Sequence, residues 1–329
     1  MSYRAAYALI FSAVAAVTAS DVRAQADAAS AYPVKPVRYI VPWPAGGGGD
    51  VLGRAVALRL AEVLNQPVIV DNRAGAAGII GTEAVARAAP DGYTLLQANT
   101  PILCINPGAY SKLPYDPVQS FEPVALVNTG ALIVLVHPSV PVRSVGELVA
   151  LGKARPGQLN YASSGSGTSA HLAAEMFKRA SGVDMVHIPY KGAAPAMIDL
   201  IAGQASVMFG DMITAMPHVR SGRLHALAVT STKRAAVMPD IPTIRESGGP
   251  GLEAAVWSGI LVPRGTPAPI VARLNRALVG IVESQDFRAR MLATGGEPLS
   301  STPQQFAELL RTELARWSQA ARDAGVRVE

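Results

Sequence analysis

Val37-Arg38-Tyr39-Ile40-Val41-Pro42-Trp43-Pro44-Ala45-Gly46-Gly47-Gly48-Gly49-Asp50-Val51 passes from a short apolar run, through prolines and four glycines, into a helical pattern. Val37 to Val41 is β-rich and bounded by proline, which reads as a strand. Val51 to Leu64 carries apolar residues at helical spacing. A strand that ends in glycines and turns into a helix aims unpaired backbone N–H groups, and the positive end of the helix dipole, at whatever lies above it. The unit recurs more than a hundred residues on, where Leu159 to Ala162 leads into Ser163-Ser164-Gly165-Ser166-Gly167-Thr168 and a helix from Thr168. Two such turns facing each other would clamp a carboxylate.

Between and beyond these turns, strands alternate with helices. Val68 to Val70 precedes a helix over Ile79 to Ala88, and Tyr93 to Gln97 is the next strand. Alternation with short connections implies βαβ units and a mostly parallel sheet. Val124 to Val136 breaks the rhythm, with two apolar runs separated by Asn128-Thr129-Gly130, and this marks a crossing between domains. The rhythm restarts with a capping box at Ser144 and Glu147 opening a helix to Lys153. A second sheet then follows from Met185 to Ile188, helix Ala194 to Ala202, Ser206 to Phe209 and Leu224 to Val229. Ala255 to Val262 crosses back. Thr266-Pro267 and Thr302-Pro303 each place a cap residue before proline, opening helices over 269–283 and 303–324. The last of these should lie on the first domain. The expected division is a signal segment over 1–26, a discontinuous domain over 27–130 and 255–329, and a second domain over 131–254. The class is α/β, with two doubly wound lobes joined by two crossing segments and the ligand in the cleft between them.

The chain has 329 residues, which suits two domains rather than one small core. Arg4 precedes an uncharged apolar run from Ala5 to about Ala19, too short to span a bilayer, and Ala24-Gln25-Ala26 fits small-x-small cleavage. The mature protein is therefore expected in the periplasm. Cys104 is the only cysteine, which excludes an intrachain disulfide and reads as a buried small residue. The net charge falls only from +5 to +4 when Arg4, Arg23 and Asp21 leave with the leader. The remaining Lys and Arg are dispersed, with no basic run interleaved with aromatics, which argues against nucleic acid as a partner.

Several chemistries compete for the two turns. A Walker A loop is excluded at Gly46 to Gly49, because no terminal Gly-Lys-Ser/Thr follows. Gly165-Ser166-Gly167-Thr168-Ser169-Ala170 satisfies the dinucleotide fingerprint, yet Asp184 precedes the next strand instead of leaving it. A hydrolase using Ser166 or Ser164 with His171 is the alternative from another class, although no G-x-S-x-G elbow is present. His171 and Glu175 lack an evident third metal ligand, so neither metal nor cofactor is expected. Tyr190, Asp211 and Asn99-Thr100 all leave the C-terminal ends of strands, where ligands of open α/β sheets bind.

The chain resembles the extracytoplasmic solute receptors of tripartite tricarboxylate transporters, the Bug receptors. Seven blocks in order carry the likeness: Val41 to Gly47 with Asp50 and Arg54; Val70-Asp71-Asn72-Arg73-Ala74-Gly75-Ala76; Ala89-Pro90-Asp91-Gly92-Tyr93-Thr94-Leu95; Tyr161 to Thr168 with His171-Leu172; Pro189-Tyr190-Lys191-Gly192; Pro242-Thr243 with Glu246-Ser247-Gly248; and Trp257 before Pro263. The resemblance implies a periplasmic-binding fold of the type II kind and a non-enzymatic receptor for di- or tricarboxylates, amino acids or aromatic acids. Its partners would be membrane permease subunits or a sensor kinase. It also implies that one carboxylate is held between the two turns by backbone groups and waters, without an obligatory arginine. Carried onto this chain, the ligand-binding set is Trp43, Pro44, Ala45, Gly46, Gly47, Gly48, Thr100, Ser163, Ser164, Gly165, Ser166, Gly167, Thr168, His171, Tyr190 and Asp211. Gly48-Gly49 departs from similar receptors, which commonly have a bulkier residue and a threonine or serine there.

Overall fold

Strand β1 (Val37–Val41) lies between β2 (Val68–Asn72) and β3 (Thr94–Asn99), parallel to both. It is covered on both faces, which is why it reads as an apolar run instead of an alternation. The computed structural model describes residues 31–327, so the expected leader over 1–26 lies outside the described residues. Helices α1 (Gly48–Leu64) and α2 (Ile79–Ala86) make the βαβ connections. After β3 the chain enters a π-helical turn, Pro101–Ile105, and one turn of helix, α3 (Asn106–Ala109).

Strand β4 (Phe121–Val136) then runs uninterrupted through Asn128-Thr129-Gly130. It is followed by α4 (Val145–Ala154), β5 (Leu159–Ser163), α5 (Ser169–Ser181), β6 (Met185–Pro189), α6 (Ala193–Ile201), β7 (Val207–Asp211), α7 (Met212–Arg220) and β8 (His225–Val229). The chain ends with β9 (Ala255–Pro263), α8 (Ala268–Glu283), α9 (Gln285–Ala293), β10 (Glu297–Pro298) and α10 (Pro303–Asp323). No helix among the described residues is long and apolar enough to cross a membrane.

The ladders run in the order β2-β1-β3-β9-β4-β7-β5-β6, with β8 and β10 also on β4. The long strand serves two sheets. From Phe121 to Ala131 it pairs antiparallel with β9, and from Leu132 to Val136 with β7 and β8. Thr230 staples the second crossing to the first: its Oγ1 accepts from Leu132 N–H at 2.9 Å, and its backbone carbonyl accepts from Ala254 N–H at 2.9 Å. Helices cover both faces of each sheet. On the first sheet, Leu52, Val56 and Leu60 of α1 pack with Ile270, Leu274 and Leu278 of α8, while Phe306, Leu310 and Trp317 of α10 cover the opposite side with Ile102 to Ile105. Cys104 is buried there, and its carbonyl accepts from Ser318 Oγ.

Two caps differ from expectation. Thr302 forms the full box, accepting from Gln305 N–H while the Gln305 side chain accepts from Thr302 N–H. Thr266 does not cap α8, because its hydroxyl turns back to the Pro263 carbonyl at 2.7 Å and Pro267 stands at the cap position. Ser144 does cap α4, but Glu147 reaches past it to Arg143 N–H.

Candidate functional site

The first glycine turn is held from below. Asp50, buried in the first turn of α1, accepts from Gly46 N–H at 3.0 Å, Arg54 Nε at 3.0 Å and Asn72 Nδ2 at 2.9 Å. The same Asn72 amide donates to the Trp43 carbonyl at 3.0 Å, so the end of β2 fixes the turn that leaves β1. Burial works to raise the Asp50 carboxyl, but the bonds from Arg54, Gly46 and Asn72 outweigh it and hold the group below the ordinary carboxylate range. Gly46 has φ +84° in this turn, a left-handed conformation that a β-branched side chain resists.

The second turn is organised around an imidazole pair. His171 and His187 stack with centroids 4.0 Å apart and planes within 6°, and Tyr161 stacks on His187 at 4.8 Å. His171 Nδ1 accepts from Gly167 N–H at 3.2 Å, and Ser163 Oγ meets His187 Nε2 at 2.7 Å. Desolvation first, and then the neighbouring His171, pull His187 down to about 4. His171 is lowered chiefly by burial, so both rings are neutral near pH 7. Thr168 caps α5 at His171 N–H and also donates to the Gly165 carbonyl at 2.7 Å.

These turns open onto one cavity at the strand ends. Its walls include Trp43, Pro44, Ala45, Gly47, Gly48, Ser164, Thr168 and Asp211 from the expected set. Gly165, Ser166 and Tyr190 line an adjoining outer recess, which shares Trp43, Pro44 and Ser164 with the inner one and also holds Lys191. Gly46, Thr100, Ser163, Gly167 and His171 stand behind the walls. Thr100 accepts from Trp257 N–H at 3.0 Å, and Ser163, His171 and Gly167 are engaged in the imidazole stack. The cavity also gathers Asn99, Asn128, Val256, Trp257 and Ser258, where β3, β4 and β9 run side by side. The polar break at Asn128-Thr129-Gly130 is the signal that marked this wall, although it reads more readily as a chain crossing.

Four helices begin at the cavity: α1, α5, α6 and α7. Gly47 and Gly192, the cap residues of α1 and α6, supply no side-chain acceptor, so the first N–H groups of both helices are left for another partner. The α6 terminus went unremarked in the sequence because Gly192-Ala193-Ala194 carries no side chain that suggests binding. The first turn also touches the starts of α6 and α7. A Cβ at Gly192 would stand 3.0 Å from the Pro44 ring, and one at Gly48 would collide with Asp211 Oδ1. Asp211 both caps α7, accepting from Thr214 N–H at 2.9 Å, and lines the cavity. Trp43 and Trp257 carry buried indole N–H groups that meet no acceptor among the described residues.

The hydrolase reading finds no support. At the second turn the serine that meets an imidazole is Ser163, which is buried and pairs with His187; His171 Nδ1 is engaged by Gly167 N–H, with no bond to Ser164 or Ser166 among the described residues.

Residues 52–326 match the family described as Tripartite tricarboxylate transporter family receptor. The chain belongs to that family. It is 36% identical to Protein BugT of Bordetella pertussis (strain Tohama I) over 302 residues, which cover 92% of this chain and 93% of that one. A structure of R. palustris Rpa4515 with adipate superposes with a TM-score of 0.88 at 35% identity, covering 90% of this receptor chain and all of the other. The periplasmic binding protein BugD matches with a TM-score of 0.84 at 36% identity, over 90% of this chain and all of that one. MatC from Rhodopseudomonas palustris with bound malate gives 0.83 at 32% identity, over 88% and 99%. The overall α/β fold is common to these solved structures.

Proposed function

We propose that this receptor works in the periplasm, closes around a small carboxylate and presents it to a membrane permease or a sensor, without chemical turnover. The observation that carries this reading is the convergence of four helix starts on one cavity whose walls include no Lys or Arg. Backbone N–H groups and aligned dipoles suit a carboxylate and cost no buried cation. Relatives solved with adipate and with malate support the same class of ligand. The ligand-binding set expected from the sequence is retained as the proposal. Its exposed members make the walls, and Ser163, Gly167, His171 and Thr100 position them.

The moving bodies we assign are 27–130 with 255–329, and 131–254. They join where β4 changes partners between Ala131 and Leu132, beside the Thr230 staple. A panel of mono-, di- and tricarboxylates tests the function by thermal denaturation. A cognate acid at one hundred times its dissociation constant should stabilise the protein by about 2.7 kcal/mol and be recovered unchanged. A panel that leaves the melting temperature where it was, or is consumed, would refute the reading.

A further inference from the structure

Asp211 is the one charged side chain on the inner cavity wall. It comes from the end of β7, yet it lies against Gly48, the first residue of α1, so the acceptor-only carboxylate and the free N–H groups of that helix are immediate neighbours. A carboxylate seated on the helix start would face Asp211 at close range, and two negative charges a few ångströms apart repel. Among the described residues no lysine or arginine lines this wall to offset that repulsion, and Lys191 lies in the adjoining recess. Thr214 bonds to both Asp211 oxygens, with its N–H at 2.9 Å and its O–H at 2.8 Å, the backbone N–H groups of Asp211 and Ile213 also favour the charged form, and the side chain still lines the cavity, where a carboxylate can accept a further donor.

We infer that the missing donor belongs to the ligand: Asp211 selects carboxylates with an ammonium or hydroxyl group on the adjoining carbon, the 2-amino and 2-hydroxy acids, over the same skeletons without it. The inference rests on the carboxylate reading proposed above. Its stereochemical content is that the carboxylate meets the starts of α1 and α6 while the neighbouring substituent bridges to Asp211. Burial pushes the Asp211 carboxyl up, against the bonds from Thr214 and the backbone N–H groups of Asp211 and Ile213, which lower it.

Calorimetry on the mature chain would compare two matched sets, succinate with malate and aspartate, and propionate with lactate and alanine. In at least one set the donor-bearing acids should bind about tenfold tighter or more than the plain acid, the scale of one charge-assisted hydrogen bond. Asp211→Asn and Asp211→Ser, which both keep a cap oxygen for α7, should bring that ratio to within about threefold. If one variant fails to fold, the other decides. Plain acids that bind as tightly as their substituted partners, or a ratio that survives both variants, would overturn the role of Asp211 while leaving the carboxylate receptor intact. If no acid of either set or of the wider panel binds, the receptor reading itself fails.

Discussion

Gly46 and Gly167 occupy left-handed backbone at φ +84° and +78°, and each directs its own N–H inward to a side chain, Asp50 and His171, instead of toward the cavity. They shape the turns from behind. Gly46→Val or Gly167→Val should therefore abolish binding by distorting the turn, whereas Ser166→Ala should cost about 0.5–1.5 kcal/mol, the worth of one ordinary hydrogen bond. Calorimetry that ranks the two changes the other way would mean that side chains hold the anion. The imidazole pair makes a second prediction. In the native state His187 stays neutral down to about 4, while the unfolded chain takes up the proton near 6.5. The unfolded state thus binds more protons across that window, and stability falls as the pH drops from 6.5 to about 4. His171 is shifted in the same direction. Melting curves of His187→Gln should show a shallower loss over this range than the parent, and parallel slopes would disprove the assignment.

Among the elements, the helix starts differ in what secures them. Thr302 makes a reciprocal box at α10, so Thr302→Ala should lower stability by about 1 kcal/mol with an unchanged denaturant slope, and hydrogen exchange should quicken at Gln305. The same substitution at Thr266 should leave the first amides of α8 exchanging as before, because that hydroxyl never reached them. The α/β units were readable because each strand is a short, nearly continuous apolar run between turn residues, as in Val37 to Val41 and Leu159 to Ala162. Other features had no local signature. Asn128-Thr129-Gly130 looked like a break, yet β4 passes straight through it, since its hydrogen bonds to β9 do not depend on side-chain polarity and a polar side chain there faces a cleft. Helix α9, Gln285–Ala293, is short and scatters its apolar residues among four polar ones, with only Phe287 and Met291 buried, so no apolar stripe marked it. Within the site, the exposed halves of the two glycine turns were foreseeable from residue type. The inward positions of Ser163 and Thr100 depend on His187 and Trp257, which are remote in sequence.

For the molecule as a whole, the proposed bodies are joined by β4 and by the return of the chain at Ala254, and they touch through Pro44 and Gly48 with Gly192 and Asp211, through Gly295 with Met212 and Met216, and through Arg179 with the Asp323 carbonyl. We propose that this arrangement is the shut form, and that opening bends β4 near Ala131 and the returning chain near Ala254. Solution scattering should show a smaller radius of gyration with a saturating acid than without, and identical values would exclude a hinged clamp. One consequence of the bare helix starts at Gly48 and Ala193 reaches beyond a single ligand. A main-chain N–H is present whatever side chain a codon specifies, and only proline deletes it. The proposed grip on the anion should therefore survive most substitutions that spare the glycines of the turns, while the proposed discrimination among acids would hang on Asp211 and a few wall residues. A gene copy can drift toward a new cargo without first losing its hold on acids.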